Sequence, residues 1–215
     1  MTMMRQVEFS RYGPPEVLEL TSAPVPEPEP DEVLIQVYAT TVTAGDWRMR
    51  KADPFAARLY NGLFRPKKVR VLGFEVSGVV ADTGKNVRKF SRGDPVFVSC
   101  GIGFGGYAEY VCLPAAGKIA MKPSRISYEE AAAVPIGGTT ALRFLRKAKV
   151  EKGDRILIYG ASGSVGTYAV QLARHAGAEV TGICSSGNRD LVLSLGANDI
   201  IDYTSADPVS RAGRF

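Results

Sequence analysis

The segment Arg-Ile-Leu-Ile-Tyr-Gly-Ala-Ser-Gly-Ser-Val-Gly, residues 155–166, narrows the possible folds more than any other stretch of this 215-residue chain. Ile156, Leu157 and Ile158 form an unbroken apolar run, the pattern of a short parallel strand covered on both faces. Gly160, Gly163 and Gly166 follow at regular spacing. Val165, Ala169, Leu172 and Ala176 then recur at helical spacing until Gly177 stops the helix. A strand that enters a helix through such a turn brings a phosphate against bare backbone. No Cβ obstructs it, the first helical N–H groups are unpaired, and the positive end of the helix dipole faces the anion. The whole turn, Gly160, Ala161, Ser162, Gly163, Ser164, Val165 and Gly166, is therefore the expected dinucleotide-binding loop. It departs from the usual G-x-G-x-x-G at one point, where Ala161 occupies the first glycine position.

The next strand bears on which dinucleotide. Glu179 to Ile183 is the expected second strand, and a site built for NAD would carry an acidic residue at its end for the ribose 2′-hydroxyl. Here the strand runs into Cys184-Ser185-Ser186-Gly187-Asn188-Arg189. A hydroxyl at Ser185 and a guanidinium at Arg189 suit a 2′-phosphate, so NADP(H) is expected in preference to NAD(H). The alternative for Arg189 is an ordinary solvated residue in the first turn of a helix.

Strand signals fill the first half at Gln6–Phe9, Val17–Leu20, Val33–Tyr38, Glu75–Ala81, Pro95–Val98, Tyr107–Leu113 and Ile119–Met121. Frequent turns between them predict a compact, irregular β-barrel. Composition changes near Lys122-Pro123-Ser124. Ser127 and Glu130 form a capping-box pattern before Ala131, predicting a helix that ends by Pro135; a second helix is expected from Thr140 to Lys147. After the glycine turn the order is helix, strand, helix around Asp190–Leu195, and a third strand at Ile200-Ile201. That is one half of a doubly wound sheet. The fold class read from these patterns is a β domain, residues 1–123, followed by a partial α/β dinucleotide-binding domain, residues 124–215.

Composition excludes several function classes. At 45% hydrophobic and 23% charged residues the chain is an ordinary globular protein. Its net charge of +5 suits an anionic cofactor. The main basic cluster, Arg65, Lys67, Lys68 and Arg70, has no interleaved aromatics and reads as a solvated loop, so no nucleic-acid partner is expected. Cys100, Cys112 and Cys184 form neither a disulfide framework nor a thiolate zinc cage. No segment has the length of a membrane span and the start lacks an apolar signal core, so the expected location is cytoplasmic.

Taken together, Val-Leu-Gly-Phe-Glu-Val-Ser-Gly-Val-Val (71–80), Phe-Ser-Arg-Gly-Asp-Pro-Val-Phe (90–97), Gly-Gly-Tyr-Ala-Glu-Tyr (105–110), Ala-Ala-Ala-Val-Pro (131–135), Thr140-Ala141 and the glycine turn resemble the medium-chain dehydrogenase/reductase superfamily. Within it they are similar to the zinc-free quinone oxidoreductase branch. The resemblance runs from about Arg5 to Tyr203. It implies a GroES-like catalytic domain joined to a Rossmann domain, with NAD(P)H donating hydride to a quinone, enone or carbonyl. By position, Ser185, Arg189 and Tyr203 would grip the 2′-phosphate end, Thr140 would lie near the nicotinamide, and Ser162 to Val165 would touch the diphosphate. Tyr203 has an alternative as a strand-end aromatic packed on its own sheet.

Zinc-dependent relatives place a cysteine near Thr43 and a histidine at Phe74. Both ligands are absent, and the single histidine, His175, falls at the far end of the helix after the glycine turn, so no zinc is expected. The catalytic cluster of the zinc-free branch falls on Val42-Thr43-Ala44-Gly45-Asp46-Trp47. Thr43 stands where the family commonly has asparagine and Asp46 is retained, which makes Thr43 and Asp46 the candidate catalytic residues. Asp46 would either orient a proton-delivering group or cap the following helix. Tyr60 and Tyr107 are further candidate donors.

Only one mononucleotide half of a doubly wound domain fits before Phe215, and the resemblance implies a continuation that flanks the nicotinamide and forms a dimer edge. The chain is thus expected to be C-terminally truncated. Two readings follow: a zinc-independent NADPH-dependent reductase or its N-terminal portion, and a non-catalytic NADPH-binding or vestigial protein.

Overall fold

The structure, a computed structural model, describes residues 2–205 and divides into two compact units that meet between Pro135 and Ile136. In the first unit β1 (Met3–Phe9) and β2 (Leu18–Pro24) form an antiparallel ribbon. β3 (Glu32–Thr40), β4 (Glu75–Thr83), β5 (Pro95–Ser99), β6 (Tyr110–Pro114) and β7 (Ile119–Met121) form an antiparallel sheet in the order β6-β3-β4-β5-β7. Alternation decides which face is buried: Val33 and Ile35 on β3, Val76 and Val80 on β4, and Val96 and Val98 on β5 close over Phe90 and Ile119. The strand signals of the first half are met by this sheet and the β1–β2 ribbon.

Two short helices, α1 (Ala44–Lys51) and α2 (Ala57–Asn61), pass over a second apolar cluster of Phe9, Val17, Val69, Leu72 and Phe104. Fully buried Asn61 pins the return of the chain. Its Nδ2 donates to the Val69 carbonyl at 3.0 Å, and its Oδ1 accepts from the N–H groups of Lys68 and Val69 at 3.1 and 2.6 Å. Arg50 donates to the Gly13 carbonyl at 2.6 Å and fastens the end of α1 in the same way.

α3 (Tyr128–Ala132) starts at the expected capping box, with Ser127 and Glu130 exchanging hydrogen bonds of 2.8 and 3.1 Å. It packs on β3, β4 and β5, where the Ser77 hydroxyl donates to the Tyr128 carbonyl and the Tyr38 and Tyr128 rings meet edge-on at 4.7 Å. The composition change near Lys122 and the boundary after Pro135 bracket this helix.

α4 (Val134–Ala148) begins well before the Thr140 start expected from sequence. Pro135 sits in its first turn, where a missing N–H costs nothing. Gly137, inside this helix, is needed for packing: a Cβ there would lie 2.7 Å from Ser164 Oγ and 2.9 Å from the Tyr168 ring.

In the second unit β8 (Arg155–Tyr159), α5 (Ser164–Ala176), β9 (Glu179–Cys184), α6 (Arg189–Ser194) and β10 (Asp199–Asp202) alternate as predicted, and the three strands are parallel in the order β10-β9-β8. Val170, Ala173, Val180, Val192 and Ile200 form the core. Ile156, Leu157 and Ile158 are half-buried, not fully covered, because β8 is an edge strand among the described residues. An apolar groove of about 460 Å³ runs along β8 between α4 and α5.

Candidate functional site

The glycine turn divides its tasks differently from the sequence expectation. Gly160 adopts φ +72°, so the left-handed residue comes one position before the motif, and Ala161 is free to keep ordinary backbone geometry. The N–H groups of Gly160 and Ala161 both donate to the Ile183 carbonyl at 3.0 Å, which ties the turn to β9. Ala161 is fully buried, and its methyl is accommodated by Gly182 on β9, where a Cβ would lie 3.1 Å away. Gly163 opens α5 without any side-chain cap, and the helical ladder starts only with Thr167 N–H donating to Gly163 at 2.9 Å. Ser164, Val165 and Gly166 therefore present the unpaired N–H groups of a first helical turn. Gly166 sets the approach of helix to strand: a Cβ there would collide with the Gly160 carbonyl and lie 2.7 Å from Ala161 Cα.

At the far end of β9, Ser185 precedes a 3-10 turn, Ser186–Asn188, that leads into Arg189 at the start of α6. The Ser185 hydroxyl accepts from Asn188 Nδ2 at 3.2 Å, and the Tyr203 N–H donates to the Cys184 carbonyl at 3.3 Å. Backbone pairing of Asp202 with Cys184 thus brings Tyr203 beside the Ser185–Arg189 segment. Arg189 is exposed and makes no salt bridge among the described residues. The sequence reading did not include Asp202, an acid reaching this end from β10. Its Oδ1 accepts from the Thr204 hydroxyl and N–H at 2.7 and 2.8 Å, and these bonds hold the carboxyl below its ordinary range.

In the first unit, Thr43 is the N-cap of α1 and Asp46 completes a capping box. Asp46 Oδ2 accepts from the Thr43 N–H at 2.7 Å and from the Thr43 hydroxyl at 2.6 Å, while Oδ1 accepts from Gly73 N–H at 2.8 Å. Asp46 is 1% exposed. Of the two roles the sequence left open for Asp46, the cap is the one present in the geometry, and the Thr43 proton is committed to it. Around this cap lie groups that sequence spacing could not bring together. Glu75, 3% exposed, accepts from the Thr41 hydroxyl at 2.8 Å, and the Tyr107 hydroxyl is buried beside Asp46 without a hydrogen bond of normal geometry. Phe74 meets Phe104 edge-on at 4.3 Å, and an apolar pocket of about 320 Å³ opens beside them, bounded on one side by Gly45.

Residues 29–124 match the family described as alcohol dehydrogenase GroES-like domain, and residues 164–214 the family described as zinc-binding dehydrogenase. Over 218 residues the chain is 35% identical to the chloroplast envelope quinone oxidoreductase homolog of Arabidopsis thaliana, covering 95% of this chain and 63% of the relative. The quinone oxidoreductase from Coxiella burnetii superposes with a TM-score of 0.86 at 34% identity, covering 97% of this chain and 65% of that one. This chain belongs to the medium-chain dehydrogenase/reductase superfamily. A further member, Escherichia coli quinone oxidoreductase solved in complex with NADPH, superposes with a TM-score of 0.82 at 28% identity over 96% of this chain and 61% of that one. The chain spans less than two thirds of the length of these relatives.

Within this superfamily the first unit is the GroES-like part and the second belongs to the nucleotide-binding part. At the two positions where the resemblance places zinc ligands, Phe74 offers a phenyl ring set edge-on against Phe104, and the Thr43 hydroxyl donates to Asp46. No group of three or more His, Cys, Asp or Glu side chains among the described residues is arranged to hold a metal. The same residues bear on the membrane and redox expectations: no described helix is long and apolar enough to cross a membrane, and Cys100, Cys112 and Cys184 are all free thiols.

The buried cluster around the cap has a pH signature. Burial pushes the Cys100 thiol from 9.0 up to about 12, and the charges of Asp46 and Glu75 push the same way. A thiol raised in this manner stabilises the folded state while it stays protonated. Its contribution is complete below pH 9 and is lost as pH rises toward 12. Urea midpoints recorded across that range are expected to fall less steeply for Cys100→Ala than for the wild type; parallel slopes would remove Cys100 as a source of the decline.

Proposed function

We propose that this chain carries the acceptor-binding and NADPH-binding parts of a zinc-independent reductase acting on a quinone, enone or carbonyl. The observation that carries the reading is the glycine-punctuated turn from Gly160 to Gly166, opening an α5 that no side chain caps, with Arg189 beyond the end of β9 in no salt bridge among the described residues. The N–H groups of Ser164, Val165 and Gly166 would hold the diphosphate, and Ser162 lies in the same loop. Ser185, Arg189 and Tyr203 would hold the 2′-phosphate, with Thr140 nearer the nicotinamide. Asp202 forms no salt bridge with this guanidinium among the described residues, and its Oδ1 accepts from Thr204. The bound cofactor supplies a hydride; the acceptor takes the hydride and one proton.

Thr43 and Asp46 act here as positioning residues. The Thr43 proton is held by Asp46, so the proton that balances the hydride would come from solvent. The apolar pocket beside Phe74 would receive the acceptor and keep water from it. Free thiols support a reducing compartment such as the cytoplasm. NADPH named in the Escherichia coli relative supports the choice of cofactor, and the quinone acceptors named for the Arabidopsis and Coxiella relatives support the substrate class.

Arg189→Ala tests the cofactor grip. Losing a charged hydrogen bond of about 1.5–3 kcal/mol is expected to weaken NADPH binding roughly 10- to 100-fold in a fluorescence titration, with NADH affinity unchanged. An equal loss for both cofactors, or none, would overturn the 2′-phosphate assignment. The commitment of the Thr43 proton also favours a second reading, a non-catalytic NADPH-binding protein. NADPH consumption with menadione by folded, NADPH-binding material decides against that reading, and its absence decides for it.

A further inference from the structure

The basic surplus of this chain sits in one place. Between Trp47 and Arg70 there are eight Lys and Arg residues against one acid, Asp53, a surplus of seven; the whole chain is only +5, so the remainder is net negative. The same segment carries exposed apolar side chains. Leu59 and Phe64 are 77% and 87% exposed, and Phe55 and Leu63 are exposed as well. Exposed apolar residues scattered singly need no explanation, whereas a group of them marks an interaction site. Leu63, Phe64 and Arg65 form the tip of a loop closed at its base. There the Asn61 carbonyl accepts from the Lys67 N–H at 2.6 Å and the Gly62 carbonyl accepts from the Tyr12 hydroxyl at 2.8 Å. Arg58 joins this tip to Phe55: its Nη1 donates to the Leu63 carbonyl at 3.1 Å, and its guanidinium carbon lies 5.6 Å from the centre of the Phe55 ring. Arg65, Lys67 and Lys68 are exposed and form no salt bridge among the described residues.

We propose that this loop is a membrane-docking tip, on which Phe55, Leu63 and Phe64 enter the headgroup boundary of a bilayer while Arg65, Lys67 and Lys68 meet anionic phospholipid headgroups. Peripheral attachment draws on both terms, apolar area buried at the boundary and attraction of Lys and Arg to anionic lipid, and this segment supplies both. Charge complementarity selects the occupant. The core of a protein-binding surface is depleted in lysine, and isologous pairing of this loop with a second copy would set like charges against each other. Nucleic acid would engage the cations and rings but offers no apolar phase for Leu59 and Leu63. The bonds at Asn61, Gly62 and Arg58 hold the tip in shape before contact, so docking orders little new backbone. The attachment is to the bilayer surface and stands apart from the cofactor and acceptor readings.

Co-sedimentation of the full chain with extruded vesicles tests the proposal. At low salt, phosphatidylcholine vesicles containing about 30% phosphatidylserine are expected to bind at least about tenfold more tightly than phosphatidylcholine alone, and about 0.5 M salt is expected to release most of the protein. Arg65→Gln combined with Lys67→Gln is expected to weaken binding to the anionic vesicles about 25-fold, at roughly fivefold per cation. Phe64→Ser is expected to weaken it about tenfold, while NADPH affinity and the thermal midpoint stay as in the wild type, because this ring stands in water in the free protein. No binding to the anionic vesicles overturns the proposal. Binding that Phe64→Ser leaves unchanged also overturns it, since the cations would then act without an inserted tip. Sedimentation velocity without lipid checks the competing occupant: a dimer that Phe64→Ser converts to monomer assigns the tip to a second copy of the chain and overturns the membrane assignment.

Discussion

Gly166→Val is expected to abolish NADPH binding and to destabilise the second unit by about 3 kcal/mol or more, the upper range for forcing atoms into a packed interior. The size follows from what a side chain would meet. A Cβ at this position collides with the Gly160 carbonyl and comes within 2.7 Å of Ala161 Cα and 2.9 Å of its carbonyl carbon. All three are backbone atoms of the turn itself, and two hydrogen bonds from Gly160 and Ala161 to Ile183 hold that turn against β9. No rotamer change can make room, so α5 must move away from β8 or the turn must lose its shape. Either outcome misdirects the N–H groups of Ser164 and Val165. Gly160→Ala provides the contrast, because nothing lies within 4 Å of a Cβ there and the cost is only the strain of φ +72°, about 1–2 kcal/mol. Urea unfolding followed by circular dichroism, with NADPH titration of the same samples, checks both. Retained binding in Gly166→Val would show that the close approach is dispensable.

Asp46→Ala is expected to cost about 3–5 kcal/mol, and Asp46→Asn less. The carboxylate is 1% exposed and accepts three hydrogen bonds, from Thr43 N–H, the Thr43 hydroxyl and Gly73 N–H. Alanine removes the Asp46 half of the capping box and leaves the Thr43 N–H and the buried Gly73 N–H without this acceptor, each loss worth about 1–3 kcal/mol. Asparagine keeps one acceptor oxygen and so rescues part of the loss. Thermal unfolding of the three chains, with NADPH affinity as the control, tests the assignment. If Asp46→Ala left stability unchanged, the buried network would carry no weight in the fold.

Much of this was legible because local chemistry decided it. The apolar run, the glycine spacing and the helix stop at Gly177 gave the strand, turn and helix. The Ser127 and Asp46 caps were readable as polar residues spaced to meet N–H groups at helix starts. Parallel pairing of β8, β9 and β10 followed from the alternation of elements. The misses have a common physical source. The helix expected from Thr140 starts at Val134, and the contact of Ser164 and Tyr168 with Gly137 inside it leaves no trace in the local sequence. Ala161 looks like a defect until Gly182, on the next strand, is seen to make room for it. Phe74, Phe104 and Ile102 share one pocket although they are spread over some thirty residues, and Glu75, Cys100 and Tyr107 gather at the same cap from separate strands and loops. Residues brought together only by tertiary packing leave no spacing signal.

The missing side chain at Gly137 also works as a mechanical spacer. Because α4 rests there directly on Ser164 and Tyr168, the thickness of a hydrogen atom fixes the height of α4 above the opening turn of α5. Thr140 comes one helical turn later on a neighbouring face, so that same thickness fixes how far its hydroxyl stands from the loop. A methyl group at 137 would act as a shim, tilting the helix and displacing Thr140 while leaving every residue expected to bind the cofactor chemically intact.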